Sequence, residues 1–143
     1  MGKKYKIGYT QGVYDMFHIG HLNLLNNAKN LCDFLIVGIN SDVLVQKYKH
    51  KTTVISEEER RIIVKNIKAV DKAVVVNTLD KIELWKQLQF HAIFIGDDWK
   101  GNPRWDKTEQ DLSEFGVDLI YLPHTDGISS TLLREDKDNK VEE

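Results

Sequence analysis

KIGYTQGVYDMFHIGHLNLLNNAKNLCDFLIVGI, residues 6–39, holds a strand, a loop, a helix and a second strand in that order. Lys6 to Gln11 reads as a short opening strand closed by Gly12, and the stretch from Ile19 to Leu31 carries Leu22, Leu25 and Ala28 at helical spacing. Phe34 to Ile39 is a nearly unbroken apolar run, the pattern of a parallel strand covered on both faces. Together they make a β-α-β unit. Further along, Ser56 and Glu59 form a capping-box pattern opening a helix through Ile62, Ile63, Ile67 and Val70, which leads into a strand from Ala73 to Val76. Asp80 caps a helix containing Ile82, Trp85 and Leu88; Ala92 to Ile95 is a strand, and Asp106 to Phe115 a helix stopped by Gly116. Asp118 to Leu122 is the fifth strand, and Ser129 to Arg134 begins a last short helix.

Strands alternating with helices predict an open parallel five-stranded sheet, Rossmann-like, with right-handed crossovers and helices on both faces. The expected organisation is a single α/β domain over residues 1–134 and a charged tail over 135–143. Ligands in such sheets bind at the carboxyl ends of the strands. Four loops are expected there: Gly12 to His21, Asn40 to Lys51, Gly96 to Arg104 and Pro123 to Thr131.

A length of 143 residues fits one compact domain. Twenty Lys and Arg against 22 Asp and Glu leave a net charge of −2, so no global positive field points to nucleic acid or an anionic membrane. Cys32 is the single cysteine, with no partner for a disulfide or a cysteine-based zinc site. The basic start Met1-Gly2-Lys3-Lys4 runs into a strand pattern rather than an apolar signal region, and no run reaches transmembrane length. These readings place the protein in the cytoplasm.

His18-Ile19-Gly20-His21 sits where the first strand gives way to a helix. Two imidazoles at i and i+3 share one helix face, Gly20 admits a phosphate close to the backbone, and a helix N-terminus supplies N–H groups and a positive dipole end. The arrangement suits a triphosphate. Capping residues or zinc ligands are the competing readings, although two histidines alone do not complete a zinc site. Arg60 stands near the start of a helix, where its charge opposes the dipole; a catalytic role would explain that placement. Ser129, Ser130 and Thr131 would open the last helix as an anion site.

Gln11 to His21 resembles the G-x-F-D-x-x-H-x-G-H opening of the HxGH cytidylyltransferase family, with Tyr14 in the aromatic position. The resemblance continues in order through Ser41-Asp42, Lys49, Glu58-Glu59-Arg60, Val70-Asp71, Gly96-Asp97-Asp98-Trp99 and Thr125-Asp126-Gly127-Ile128-Ser129-Ser130. Gly96-Asp97-Asp98-Trp99 is similar to the glycerol-3-phosphate branch of that family. The resemblance implies the HIGH-type nucleotidyltransferase fold and a reaction in which an acceptor's phosphate oxygen attacks the α-phosphorus of CTP.

It further implies catalytic roles for His18, His21, Lys49 and Arg60. Gly12, Val13, Tyr14, Asp15, Gly20, Asp98, His124, Thr125, Gly127, Ile128, Ser129, Ser130 and Thr131 would bind the nucleotide. Asp42, Lys47, Asp71, Trp99 and Arg104 would bind the acceptor. No metal would be held by the protein itself, Mg²⁺ arriving mainly with the nucleotide, and the family's habit implies a homodimer. The expected partners are CTP and a small phosphorylated alcohol, glycerol 3-phosphate first. Other polyol phosphates, ethanolamine or choline phosphate, ATP with a sugar phosphate, and a non-catalytic nucleotide-binding module are the alternatives. In two places the sequence departs from the family pattern: His124 replaces an arginine, and the loop after Trp99 is longer, offering Arg104 as a substitute charge.

Overall fold

The computed structural model describes residues 2–124. Strands β1 (Tyr5–Gly12), β2 (Cys32–Asn40), β3 (Lys72–Val76), β4 (Ala92–Gly96) and β5 (Asp118–Leu122) form one sheet in the order β3-β2-β1-β4-β5. Every pairing is parallel. Between strands lie α1 (Ile19–Lys29), α2 (Asp42–Lys49), α3 (Glu57–Lys65), α4 (Lys81–Leu88), a 3-10 turn at Asp97–Trp99, and α5 (Pro103–Ser113).

Alternation of side chains along the strands divides the core in two. Leu35, Val37, Ile39, Ala92 and Phe94 face α1 and α3, packing with Leu25, Ala28 and Val64. Ile36, Ile93 and Ile95 face the other way, against Leu84 of α4 and Trp105 and Leu112 of α5. Helices therefore cover both faces, and the apolar runs of β2 and β4 follow from that double burial. Gly38 is required by close approach, since a β-carbon there would collide with the Tyr9 hydroxyl crossing from β1.

Chain order runs outward from β1 through β2 to β3 and then returns to β4 on the opposite side of β1. The sheet's switch point thus lies between β1 and β4, and a ligand crevice belongs at their carboxyl ends. The expected strands and all but one of the described helices stand within a few residues of the boundaries read from sequence. The exception is Asn40 to Lys51, expected as a loop. Residues 42–49 are helical: Ser41 caps α2 by accepting from the Leu44 N–H at 3.0 Å, and Leu44 and Val45 are buried. The lysines at 47, 49 and 51 disguised a helix whose apolar face is only two residues wide. The expected helix at Ser129 to Arg134 and the tail lie outside the described residues.

Candidate active site

The loop between β1 and α1 is held in an uncommon backbone form, with Tyr14 at φ 57° and Met16 at φ 51°. Non-glycine residues seldom adopt the left-handed region, and here the surroundings enforce it. Asp15, between them, is 1% exposed, and its two carboxylate oxygens accept from the Val54 and Ile55 N–H groups at 2.8 and 2.9 Å. Asp15 therefore staples the 51–56 segment to the loop.

His18 is the N-cap of α1. Its Nδ1 accepts from the Gly20 N–H at 3.0 Å, and the Nδ1 of His21 accepts from the His18 N–H at 3.2 Å. The two residues thus form a capping box of histidines. A backbone N–H always donates, so both Nδ1 atoms are unprotonated and a neutral ring must carry its proton on Nε2. The rings stack with centroids 3.9 Å apart, and Tyr14 and Phe17 each lie 5.3 Å from the His21 ring. Burial lowers the pKa of His18. Burial first, then the neighbouring His18, lowers that of His21 to about 3 against the opposing pull of Asp15. Both imidazoles are neutral at pH 7, and the His18 Nε2 is buried with no hydrogen-bond partner. An unsatisfied buried N–H is costly until an acceptor arrives.

Capping also corrects one expectation: the Gly20 N–H is engaged by His18, so it is not an open phosphate contact. Among the described residues no cluster of three or more metal-ligating side chains includes the pair.

Arg60 sits within a buried network of its own. It is 0% exposed, donating from Nε to the Ile55 carbonyl, from Nη1 to the Val13 and Asn40 carbonyls, each at 2.8 Å, and from Nη2 to Asp42 at 2.5 Å. The guanidinium ties the end of β2 to the β1–α1 loop and the start of α2. Its position against the helix dipole is compensated by Asp42 and by carbonyls from distant segments. Asp42 is drawn into the same knot, accepting also from the Thr53 hydroxyl and the Glu57 N–H. Desolvation raises its pKa, but the Thr53 and Arg60 hydrogen bonds outweigh this and hold it below the ordinary value.

Asp71 lies at the wrong end of the sheet. It immediately precedes β3, accepts from the Leu35 N–H at 2.8 Å and pairs with Lys29 at 2.5 Å, at the amino edge of the strands. Its place just before a strand of a parallel sheet already implied that edge, opposite the histidines that follow β1.

The helical form of α2 separates lysines that a flexible loop would have made interchangeable. Residues i and i+2 point about 200° apart. Lys47 is exposed and, with Asp42, Val43, Gln46, Thr52, Thr53, Val54 and Ser56, lines an open groove of 610 Å³ that includes neither histidine. Lys49 is half-buried with its ammonium 5.5 Å from the Tyr48 ring centroid. Gly12 and Val13 are buried beneath the loop.

Across the switch point, Asp97, Asp98 and Trp99 follow β4 directly, and His124 follows β5. His124 Nδ1 lies 2.6 Å from an Asp97 oxygen. Arg104 is exposed, with its guanidinium carbon 5.7 Å from the Trp99 ring centroid and 5.9 Å from that of Trp105. Thr125, Gly127, Ile128, Ser129, Ser130 and Thr131 lie outside the described residues. Sequence reading passed over Gln11, Asn40 and Tyr48, polar side chains joined at the strand ends; polar residues closing apolar strands were the available signal.

Comparison with known proteins agrees with this geometry. The cytidylyltransferase-like family model matches residues 9–136. A glycerol-3-phosphate cytidylyltransferase of Bacillus spizizenii is 38% identical over 89% of this chain and 93% of its own length. One from Staphylococcus aureus is 30% identical over 89% of this chain and 91% of its own length. The crystal structure of the lipopolysaccharide core biosynthesis protein from Thermoplasma volcanium superposes with a TM-score of 0.74 at 22% identity, covering 85% of this chain and 99% of that one, which shows the shared fold. An HxGH pair at the turn after β1, set in a chain matched over most of its length, makes this protein a nucleotidyltransferase belonging to the cytidylyltransferase-like family.

Proposed function

We propose that the protein transfers CMP from CTP to glycerol 3-phosphate, giving CDP-glycerol and pyrophosphate. An oxygen of the acceptor's phosphate attacks the α-phosphorus in line, a new P–O bond forms as the bond to pyrophosphate breaks, and pyrophosphate leaves with the electron pair. No covalent enzyme intermediate is involved. The observation that carries this reading is the stacked neutral pair His18 and His21, whose bound Nδ1 atoms commit both Nε2–H groups to donation. Donors fixed in advance stabilise the charge growing on the phosphoryl oxygens without reorganising. Lys49 adds a point charge between the two reacting phosphates.

Names of relatives support the substrates, since chains matching nearly end to end are glycerol-3-phosphate cytidylyltransferases. Mg²⁺ fits this donor set as a companion of the triphosphate: Asp98, an exposed carboxylate following β4, is the hard oxygen ligand available to it, directly or through water. When bound it would neutralise the departing pyrophosphate. The product would feed a cell-wall or capsular polymer, with the enzyme acting as a cytoplasmic homodimer. Among the described residues no helix is long and apolar enough to cross a membrane.

A panel pairing CTP or ATP with glycerol 3-phosphate, another polyol phosphate, ethanolamine phosphate or choline phosphate, read by pyrophosphate release, tests the assignment. CTP with glycerol 3-phosphate should be fastest. Preference for another acceptor overturns the substrate assignment, and CTP binding without pyrophosphate release overturns the reaction.

A further inference from the structure

The carboxyl ends of β1, β2 and β3 are linked by side-chain hydrogen bonds that end beneath Lys49. The Tyr9 hydroxyl, on a residue 0% exposed, donates to Gln11 Oε1 at 2.7 Å. Gln11 Nε2 donates to the Thr78 carbonyl at 3.1 Å and to Asn40 Oδ1 at 2.8 Å. Asn40, 2% exposed, donates from Nδ2 to the Tyr48 hydroxyl at 2.9 Å. The direction of this chain is forced. A carbonyl only accepts, so Thr78 fixes which Gln11 atom is nitrogen, and each amide then fixes the next. Buried and connected in this way, the amides hold Tyr48 as a strut.

Tyr48 is the residue before Lys49 in the last turn of α2, and the lysine ammonium stands over its ring, 5.5 Å from the centroid. The following residue, His50, ends the helix in the left-handed conformation, at φ 55°. A lysine carries several rotatable bonds, so an untethered ammonium at such a terminus spends little time in any one place. We infer that Tyr48, held from the sheet by Asn40 and Gln11, is a positioning residue that aims the Lys49 ammonium at the reacting phosphates. The inference rests on the proposed role of Lys49. It adds a tether from the sheet to that charge.

Tyr48→Phe tests it, because the ring that faces the ammonium stays while the hydroxyl held by Asn40 goes. Turnover with CTP and glycerol 3-phosphate should fall about fivefold to tenfold, the scale of one lost hydrogen bond expressed in the transition state, with an unchanged circular dichroism spectrum. In a Lys49→Ala background the same change should cost nothing more, since the tether then has no charge to aim. Full turnover in Tyr48→Phe beside a damaged Lys49→Ala refutes the tether while leaving the proposed function intact. Losses that multiply in the double variant also refute it. If Lys49→Ala itself turns over normally, the assignment of Lys49 fails and the tether with it.

Discussion

Replacing Arg60 with methionine separates a structural arginine from a catalytic one. Methionine fills much of the same stem volume, but it leaves the Ile55, Val13 and Asn40 carbonyls and one Asp42 oxygen without the guanidinium. Asp42 keeps the Thr53 and Glu57 donors and has a side chain 44% exposed, so water recovers part of its loss. The Val13 and Asn40 carbonyls, on residues 2% exposed, have less recourse to it. Leaving these two buried carbonyls without donors costs about 3–5 kcal/mol in all, at roughly 1–3 kcal/mol each. Against a total of about 5–15 kcal/mol for a domain, that is a large share. At about 2–4 °C per kcal/mol for a chain near this length, the midpoint should fall by roughly 6–20 °C. Urea and thermal unfolding measure the loss, and turnover is read well below the new midpoint, where the folded fraction should retain measurable cytidylyl transfer. Arg61→Met, which loses only an exposed pair with Glu58, is the control and should leave the midpoint unmoved. An Arg60→Met protein with an unchanged midpoint and no turnover would refute the structural reading and return Arg60 to the substrate.

Asparagine at position 18 keeps a side-chain acceptor at the N-cap of α1 while removing the buried Nε2–H, so His18→Asn should retain its midpoint and lose about 10²–10³ in turnover. Turnover within a factor of a few of the parent would remove His18 from the mechanism. His21, with a folded pKa of about 3 against 6.5, is protonated more readily in the unfolded chain. Its stabilising contribution is therefore full above pH 6.5 and is lost toward pH 3, at up to about 1.4 kcal/mol per unit. His21→Gln should flatten that acid limb; an identical limb in urea titrations counts against a buried neutral imidazole. The lowered pKa of Asp42 acts in a more acidic window, its contribution disappearing as pH falls below 3.8. Asp71→Asn should lower the midpoint and leave KM for CTP and for the acceptor unchanged; a raised acceptor KM would contradict its placement at the amino edge of β3.

The sheet was legible in the sequence because strand and helix signals are local. Phe34 to Ile39 is apolar throughout since β2 is buried on both faces, and the caps at Ser56 and Asp80 announce α3 and α4 within one turn. The β-α-β alternation then places His18 and His21 after β1, and Asp98 and His124 near the ends of β4 and β5, at one edge of the sheet. Partner choice was not legible. Arg60 bonds to residues 5 to 47 positions away, and Asp15 to residues 39 and 40 away, so these partners were set only when the chain closed around them. Both are motif residues whose charge is used inward. Asp71 belongs to the matched pair Val70-Asp71 yet sits at the opposite end of the sheet from the histidines, and α2 was hidden because its buried face is only Leu44 and Val45. Periodicity records which side of an element is dry, whereas the partner a buried charge takes depends on which distant carbonyls and carboxylates packing brings within hydrogen-bond reach, and only the tertiary structure decides that.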